Sequence, residues 1–245
     1  MGAYITGEIE PDGWDVTEDL CGEFVETFTL TSGKNLIVRC CSFGATLLSV
    51  RSRASSGVKF EELTLNRTNL DELFDHRKNP KYGATCGRVA GRISNAYFTL
   101  KGVPGGWFSD NRTFYLEKNN GTNCLHGGSN GFHRRNWDSL IVRDVKLSEF
   151  VELQEGQEDI VFKGVKFYRT SADGEEGFPG CLLITSWYLL SQNDEFLMVW
   201  TAEFKIGADP REKCPINLTN HTYWNLSGDF KDQKVDKHGL ILNAS

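Results

Sequence analysis

The run of residues 195–204, EFLMVWTAEF, constrains the fold of this chain most, because its side chains alternate in character. One parity is apolar and consists of Phe196, Met198, Trp200, Ala202 and Phe204. The other parity includes Thr201 and Glu203, and such alternation is typical of a β-strand with one buried face. Residues 181–190 are also rich in β-branched and aromatic side chains, and a turn-like segment, QND, separates the two runs. We therefore predict an antiparallel hairpin here.

Other parts of the chain carry the same strand signal. Further runs lie at residues 24–30, 36–40, 45–50 and 159–168. The first two flank residues 31–34 (TSGK), which are suited to a hairpin turn. Helical periodicity is scarce, and its best candidate is a short turn at residues 69–74. The sequence thus predicts an all-β fold, for which a β-sandwich is suitable.

Length and composition fit one domain. The chain has 245 residues, of which 39% are hydrophobic, enough to bury the core of a large all-β domain. No linker rich in Pro, Gly or Ser, no charge block and no internal repeat divides the sequence. We expect a single domain over residues 1–245.

The charge pattern and the N-terminus narrow the classes of partner. The 27 basic residues are scattered among 33 acidic ones, giving a net charge of −6, which argues against nucleic acid as a partner. No apolar run has membrane length and no signal-peptide core is present, so we expect a cytoplasmic protein without a membrane partner. Residues 1–6 fit the pattern for myristoylation of Gly2, but no polybasic second anchor follows, and modification of Gly2 stays open.

The cysteines predict neither a disulfide framework nor a metal site. The chain contains Cys21, Cys40, Cys41, Cys86, Cys124, Cys181 and Cys214. This odd set has no C-x-x-C pair and no histidine at metal-ligand spacing. We interpret the thiols as reduced and structural, Cys124 included, and expect no metal.

Two histidines lie in sequence settings that suit a functional site. His221 stands within residues 216–226 (INLTNHTYWNL), among hydrogen-bonding and aromatic side chains. Histidine has an unperturbed pKa of ~6.5 and can transfer protons near neutral pH, although a structural histidine bound to backbone carbonyls is the alternative. His126 lies in residues 123–128 (NCLHGG), where two glycines allow a sharp turn or a close approach to a ligand. Asn220 and Tyr223 are close enough in sequence to orient His221 or to contact a ligand.

Together with residues 87–93 (GRVAGRI) and 173–180 (DGEEGFPG), these segments resemble the aldose 1-epimerases, also called galactose mutarotases. All four blocks occur in the order of that family and span most of the chain. The resemblance implies interconversion of the α and β anomers of free hexoses such as galactose and glucose, in carbohydrate metabolism. It also implies a large antiparallel β-sandwich, no cofactor and no metal.

The reaction opens and closes a sugar ring, so one group must take the proton of the C1 hydroxyl while another protonates the ring oxygen. Each well-placed group typically contributes ~10²–10⁴ in rate. By resemblance, His221 is the general acid at the ring oxygen, and His126 is the second catalytic histidine, which also binds sugar oxygens. Asn220 is a further candidate for substrate binding.

Arg92 is the expected cation on the sugar, because a guanidinium can donate to two adjacent hydroxyls. A salt bridge to a carboxylate is its alternative, and the resemblance at GRVAGRI favours the sugar. Some relatives carry Asn where this chain has Gly91. Arg88 is expected to be structural.

The acidic pair Glu175 and Glu176 invites an acid-base interpretation, since neighbouring carboxylates can split their pKa values. Turn chemistry is the stronger interpretation, because Gly174, Gly177 and Pro179 surround the pair. We expect this loop to shape the rim of the site without transferring protons.

The resemblance lacks a counterpart at the C-terminus. Members of the family continue beyond the position of Ser245, and that portion holds the glutamate that acts as general base and an aspartate that binds sugar. Asp229, Asp232 and Asp236 lie too close to the His221 block to replace them. We therefore expect a chain truncated at its C-terminus, with the general base beyond Ser245.

Three functions compete on this basis. The first is an aldose 1-epimerase acting on free hexoses. The second is a sugar-binding or regulatory form with impaired catalysis because it lacks the base. The third is a hexose-6-phosphate 1-epimerase, which would need extra cations for the phosphate. The sequence indicates neither the preferred hexose nor the oligomeric state.

Overall fold

The computed structural model describes residues 18–20, 23–54, 57, 59–65, 70–75, 80–102, 104–106, 108–205, 213–228, 230 and 235–241. Gly2, Asp229 and Ser245 lie outside the described residues, as does any base beyond Ser245. The interpretations given to them, and the expectation of a single domain, stay predictions.

The N-terminal part of the described chain forms a small hairpin and then a four-stranded antiparallel sheet. The hairpin consists of β1 (Glu18–Leu20) and β2 (Glu23–Val25). The sheet consists of β3 (Thr27–Thr31), β4 (Leu36–Cys41), β5 (Thr46–Arg53) and β6 (Phe60–Glu62), in that order. Thr31 pairs with Ile37 across the turn that contains Gly33, whose φ of +77° is readily adopted by glycine. The hairpin predicted from residues 24–40 is confirmed, with its first strand interrupted at Glu26.

Short strands follow. They are β7 (Thr85–Cys86), β8 (Arg92–Ile93), β9 (Tyr97–Leu100), β10 (Arg112–Tyr115) and β11 (Cys124–Leu125). β9 pairs with β10, and β8 pairs with β11, both antiparallel.

The second large sheet contains the longest strands. It consists of β12 (Asp138–Lys146), β13 (Val161–Ser171), β14 (Leu182–Ser191) and β15 (Phe196–Phe204), again antiparallel and in that order. Leu190 pairs with Phe196 around a turn in which Asp194 has a φ of +65°, so the second predicted hairpin is also confirmed. A last short strand, β16 (Thr219–Asn220), pairs with β7.

The two large sheets pack against each other through their apolar faces. Their shared core includes Phe28, Leu30, Val38, Cys40 and Val50 from the first sheet and Val165, Phe167, Ile184, Tyr188 and Leu190 from the second. Phe28 meets Phe167 edge to face at 5.6 Å between ring centroids. The β15 side chains Phe196, Met198, Trp200 and Ala202 pack against this core, as their shared parity predicts. The fold is the predicted all-β, antiparallel sandwich.

Helical structure in the described residues is limited to 3-10 turns. They lie at Leu70–Leu73, Ser94–Ala96, Phe132–Arg134, Leu147–Glu149 and Glu175–Gly177. The first matches the helical turn predicted at 69–74. None of the helices in the described ranges is long and apolar enough to cross a membrane.

Candidate active site

His221 is held by a backbone pairing between segments that are far apart in sequence. β16 pairs with β7, and just beyond it the His221 amide donates to the carbonyl of Ala84 at 2.9 Å. The Gly83 amide donates in turn to the carbonyl of His221 at 3.0 Å. These bonds fix the main chain on both sides of the histidine without using its ring.

His126 is held in a similar way by β8 and β11. Its amide donates to the carbonyl of Gly91 at 2.9 Å, and the Gly91 amide donates to His126 Nδ1 at 3.1 Å. An Nδ1 that accepts a hydrogen bond carries no proton, so the neutral ring has its proton on Nε2. His126, Gly127 and Gly128 all have positive φ, at +53°, +79° and +104°. The two glycines permit this turn at little conformational cost.

The two histidines meet. Their ring centroids are 5.0 Å apart and the rings are nearly perpendicular, at 79°. Burial lowers the pKa of His126 to about 4, and the positive charges of His221, Lys81 and Arg92 act in the same direction. His126 is therefore a neutral imidazole at physiological pH, a form that can donate a hydrogen bond from Nε2.

Aromatic rings flank His221 on its other side. The Tyr223 ring lies 5.3 Å from the His221 ring, tilted by 36°, and Tyr82 meets Tyr223 edge to face at 5.2 Å. Tyr223 is half exposed. The arrangement gives the histidine pair a wall suited to the apolar face of a small ligand.

Arg92 lies next to the histidines on β8 and is exposed. Its Nε donates to the amide oxygen of Asn120 at 2.9 Å, a neutral partner in place of the carboxylate considered as an alternative. The guanidinium is thereby oriented while its charge still acts on His126.

The side chain of Asn220 is engaged within the protein. Its Nδ2 donates to the carbonyl of Gly83 at 2.6 Å and to the Tyr188 hydroxyl at 3.1 Å. Its Oδ1 accepts from the amide of Thr222 at 3.0 Å and from the Thr222 hydroxyl. Substrate binding by Asn220 stays a prediction, and these bonds favour an indirect role in fixing the main chain beside His221.

Arg88 has the structural role expected of it. It is 1% exposed, and its guanidinium donates to Ser171 Oγ at 2.9 Å, to the Ser171 carbonyl at 3.0 Å and to the Ala172 carbonyl at 2.6 Å. It also donates to the Pro179 carbonyl at 2.5 Å and to Cys214 Sγ at 3.3 Å. Arg88 thus ties GRVAGRI to both ends of the DGEEGFPG loop.

Glu175 is an ionic anchor of that loop. It receives two hydrogen bonds from Arg169, at 2.8 Å and 3.0 Å, and lies 3.3 Å from Arg135 Nε. Burial raises the pKa of Glu175, but the bonds from Arg169 and Ser171 and the two arginine charges outweigh burial, so the net shift is downward. A carboxylate stabilised in this way is a weak base.

Cys124 belongs to the packing, as predicted. It is buried among Ala96, Leu116 and Phe178. Burial, followed by the charges of Glu176 and Glu117, raises the pKa of its thiol to about 11. In the described ranges no three histidine, cysteine, aspartate or glutamate side chains are grouped to hold a metal ion.

The sequence profile of the family described as aldose 1-epimerase matches residues 26–245. The chain belongs to the aldose 1-epimerase family. It is 32% identical over 220 residues to galactose mutarotase of Sus scrofa, covering 90% of this chain and 53% of that protein. It is 30% identical over 223 residues to aldose 1-epimerase of Escherichia coli K12, covering 91% and 54%. The chain thus spans about half the length of these relatives.

Solved structures agree with the family at the level of the fold. Galactose 1-epimerase from Lactobacillus acidophilus superposes with a TM-score of 0.65 at 21% identity, covering 87% of this chain and 53% of that one. An aldose epimerase homologue from C. elegans gives a TM-score of 0.59 at 27% identity, covering 80% and 49%. This aldose 1-epimerase family member therefore has the mutarotase-like β-sandwich.

Proposed function

We propose that this protein is an aldose 1-epimerase that interconverts the α and β anomers of free hexoses such as galactose and glucose. The observation that carries the proposal is the pair of rings of His126 and His221, 5.0 Å apart, beside an exposed arginine on β8. Two relatives named as a galactose mutarotase and an aldose 1-epimerase support the same reaction.

In this proposal the two histidines have different roles. His221 is the general acid that protonates the ring oxygen. His126, neutral because of its lowered pKa, donates from Nε2 to a sugar oxygen and polarises that region. Arg92 binds adjacent hydroxyls through guanidinium donors not directed at Asn120.

The general base is proposed to be a glutamate outside the described residues. The acidic loop offers a poor substitute. Glu175 is bound to Arg169, and a carboxylate oxygen of Glu176 accepts from the Asn130 amide at 3.2 Å. Their engagement favours the second candidate for residues 1–245 taken alone, a sugar-binding form with little turnover.

The third candidate, action on a hexose 6-phosphate, has one observation in its favour. The charge of Lys81 acts on His126 together with that of Arg92, so two cations lie near the histidine pair. A phosphate would gain from both charges. We rank this candidate last, and the assay below includes it.

The test is polarimetry of freshly dissolved α-D-galactose, α-D-glucose and glucose 6-phosphate. With a full-length form of the protein we expect acceleration with the free sugars that survives a chelator. Its His221→Gln variant should have kcat lowered by ~10² or more, with a modest change in KM. His238→Gln, which replaces a histidine without a role in the proposed mechanism, is the matched control. Near-native turnover in His221→Gln would remove the assignment of the acid. Sugar binding without turnover by residues 1–245 would favour the second candidate.

The cellular location and the partners of the protein belong to the same proposal. A cytoplasmic protein that binds a small-molecule hexose and neither nucleic acid nor a membrane fits the scattered charges of the sequence. Cys40, Cys41, Cys86 and Cys124 are buried thiols, which suits a reducing compartment.

A further inference from the structure

The loop that carries His126 needs outside support. Three consecutive residues, His126, Gly127 and Gly128, have left-handed backbone conformations, and the first of them is not a glycine. Left-handed conformations of non-glycine residues cost free energy and persist where surrounding contacts impose them. The bonds to Gly91 restrain the start of this loop, and the Gly128 amide donates to the Leu125 carbonyl at 3.2 Å.

Two carboxylates hold the end of the loop. Glu117 accepts from the Ser129 amide at 2.9 Å and from the Ser129 hydroxyl at 2.8 Å. Glu176 accepts from the next amide, that of Asn130, at 3.2 Å. A methyl group placed on Gly128 would lie 2.0 Å from a carboxylate oxygen of Glu176, so this carboxylate also lies directly against the loop.

The two carboxylates come from different parts of the fold. Glu117 lies two residues beyond β10, and Glu176 lies in the 3-10 turn of the acidic loop with a φ of +51°. Glu175 anchors this acidic loop through Arg169. The hydrogen bonds therefore connect the His126 loop to the ionic network of Glu175 on one side and to the segment directly after the β9–β10 hairpin on the other.

We propose that Glu117 and Glu176 are positioning residues that jointly fix the His126 loop and thereby the direction of its imidazole. They act through the amides of Ser129 and Asn130 and contact no reacting atom. The assignment explains why the second glutamate of the acidic loop faces the histidine loop while the first is bound by arginines. Only the expected effect of Glu117 and Glu176 on turnover rests on the proposed function.

The electrostatics of the pair make the support sensitive to pH. Burial raises the pKa of Glu176, and the charges of Glu117 and Glu175 raise it further, while the Asn130 bond and Arg135 oppose the shift. Cys124, the other titratable neighbour, has its pKa raised to about 11 and stays neutral. Because its pKa is raised, Glu176 takes up its proton at a higher pH than an ordinary glutamate does. The protonated carboxyl group is a weaker acceptor for the Asn130 amide.

The test compares Glu117→Ala, Glu176→Ala and the double variant with Glu149→Ala. Glu149 accepts from the Lys146 amide at 2.8 Å on the remote connection after β12, so its loss removes a bond of the same kind. The first readouts are hydrogen exchange at the amides of Gly91, Ser129 and Asn130 and NMR titration of the His126 ring. We expect about tenfold faster exchange at Ser129 and Asn130 in the site variants, and a shifted His126 titration.

Conservative variants sharpen the test. Glu176→Gln keeps an acceptor oxygen but loses the charge, so it should restore slow exchange in part and lose the pH dependence. In turnover assays the site variants should raise KM several-fold, because His126 binds the sugar in the proposed mechanism. Unchanged exchange and His126 titration in the double variant would overturn the proposal. An inactive full-length wild-type protein would instead count against the proposed function, since exchange and titration need no turnover.

Discussion

Among single side chains, His126 has the most perturbed environment in the candidate site. Burial and three positive neighbours lower its pKa to about 4, whereas an unfolded chain has the usual value of about 6.5. Between these values the unfolded state binds more protons than the folded state. The free energy of unfolding should therefore decrease as pH falls from about 6.5 towards 4.

This prediction is tested by urea unfolding at pH 7, 5.5 and 4.5. The decrease should be smaller in His126→Gln than in the unaltered protein. His238→Gln, which removes a histidine without a role in the proposed mechanism, should keep the pH dependence that comes from His126. NMR titration of the ring measures the pKa of His126 in the folded protein directly. A His126 midpoint near 6.5 would contradict the prediction.

The members of the candidate site were partly accessible from the sequence. His126, His221 and Arg92 stand in recognisable blocks, and the structure brings all three together. Lys81 and Tyr82 were missed, because they reach the site only through the pairing of β7 with β16, across some 130 intervening residues that carry no local signal. The hydrogen bonds of the Asn220 side chain could not be predicted for the same reason.

The loops beside the histidines depend on glycine for two different reasons. A methyl group on Gly127 would lie 1.8 Å from the Gly87 carbonyl oxygen, whereas one on Gly91 would meet no atom within 4 Å. Both residues have positive φ, at +79° and +77°. Gly127 therefore permits both a backbone conformation and a close approach, and Gly91 permits the conformation alone.

Gly91→Ala should destabilise the fold by ~1–2 kcal/mol, the cost of a left-handed alanine. Gly127→Ala should cost ~3 kcal/mol or more, because the loop must also move away from the Gly87 carbonyl. Thermal or urea unfolding of the two variants measures the difference. Gly91→Asn should be nearly neutral, since Asn adopts the left-handed region readily. Equal losses for the two alanine variants would show that close packing at Gly127 is unimportant.

Long strands were predictable and short ones were not. The hairpins β3–β4 and β14–β15 follow from alternation and from a turn between neighbouring runs, both of which are local. β7, β8, β11 and β16 have two residues each, too few for any period to be visible. The candidate site is built on these short strands, so its geometry depends on tertiary packing that no local pattern encodes.

The two edges of the second large sheet differ in their protection. β12 carries a register shift between Val142 and Val145, and such irregularities discourage pairing with another chain. β15 has a continuous ladder to β14 and, within the described ranges, no strand on its other side. Its side chains are mostly half-buried and apolar.

We predict that residues 1–245, expressed alone, associate through β15. Val199→Lys should reduce the mass measured by light scattering, because a charged residue on an edge strand opposes pairing. Leu140→Lys on β12 is the matched control and should change the mass less. A monomer at all concentrations in the unaltered protein would contradict the prediction.

Tyr188 belongs to the sandwich core, yet its hydroxyl serves the site. It donates to the carbonyl of Ala45, the residue directly before β5, at 2.5 Å and accepts from the Asn220 amide, next to His221, at 3.1 Å. One buried oxygen thus connects the core of the sandwich to β16, the strand directly before His221. A systematic mutational survey scored only by activity would therefore mark Tyr188 as a functional position. Tyr188→Phe, a conservative substitution at most core positions, would remove this hydroxyl and its two hydrogen bonds.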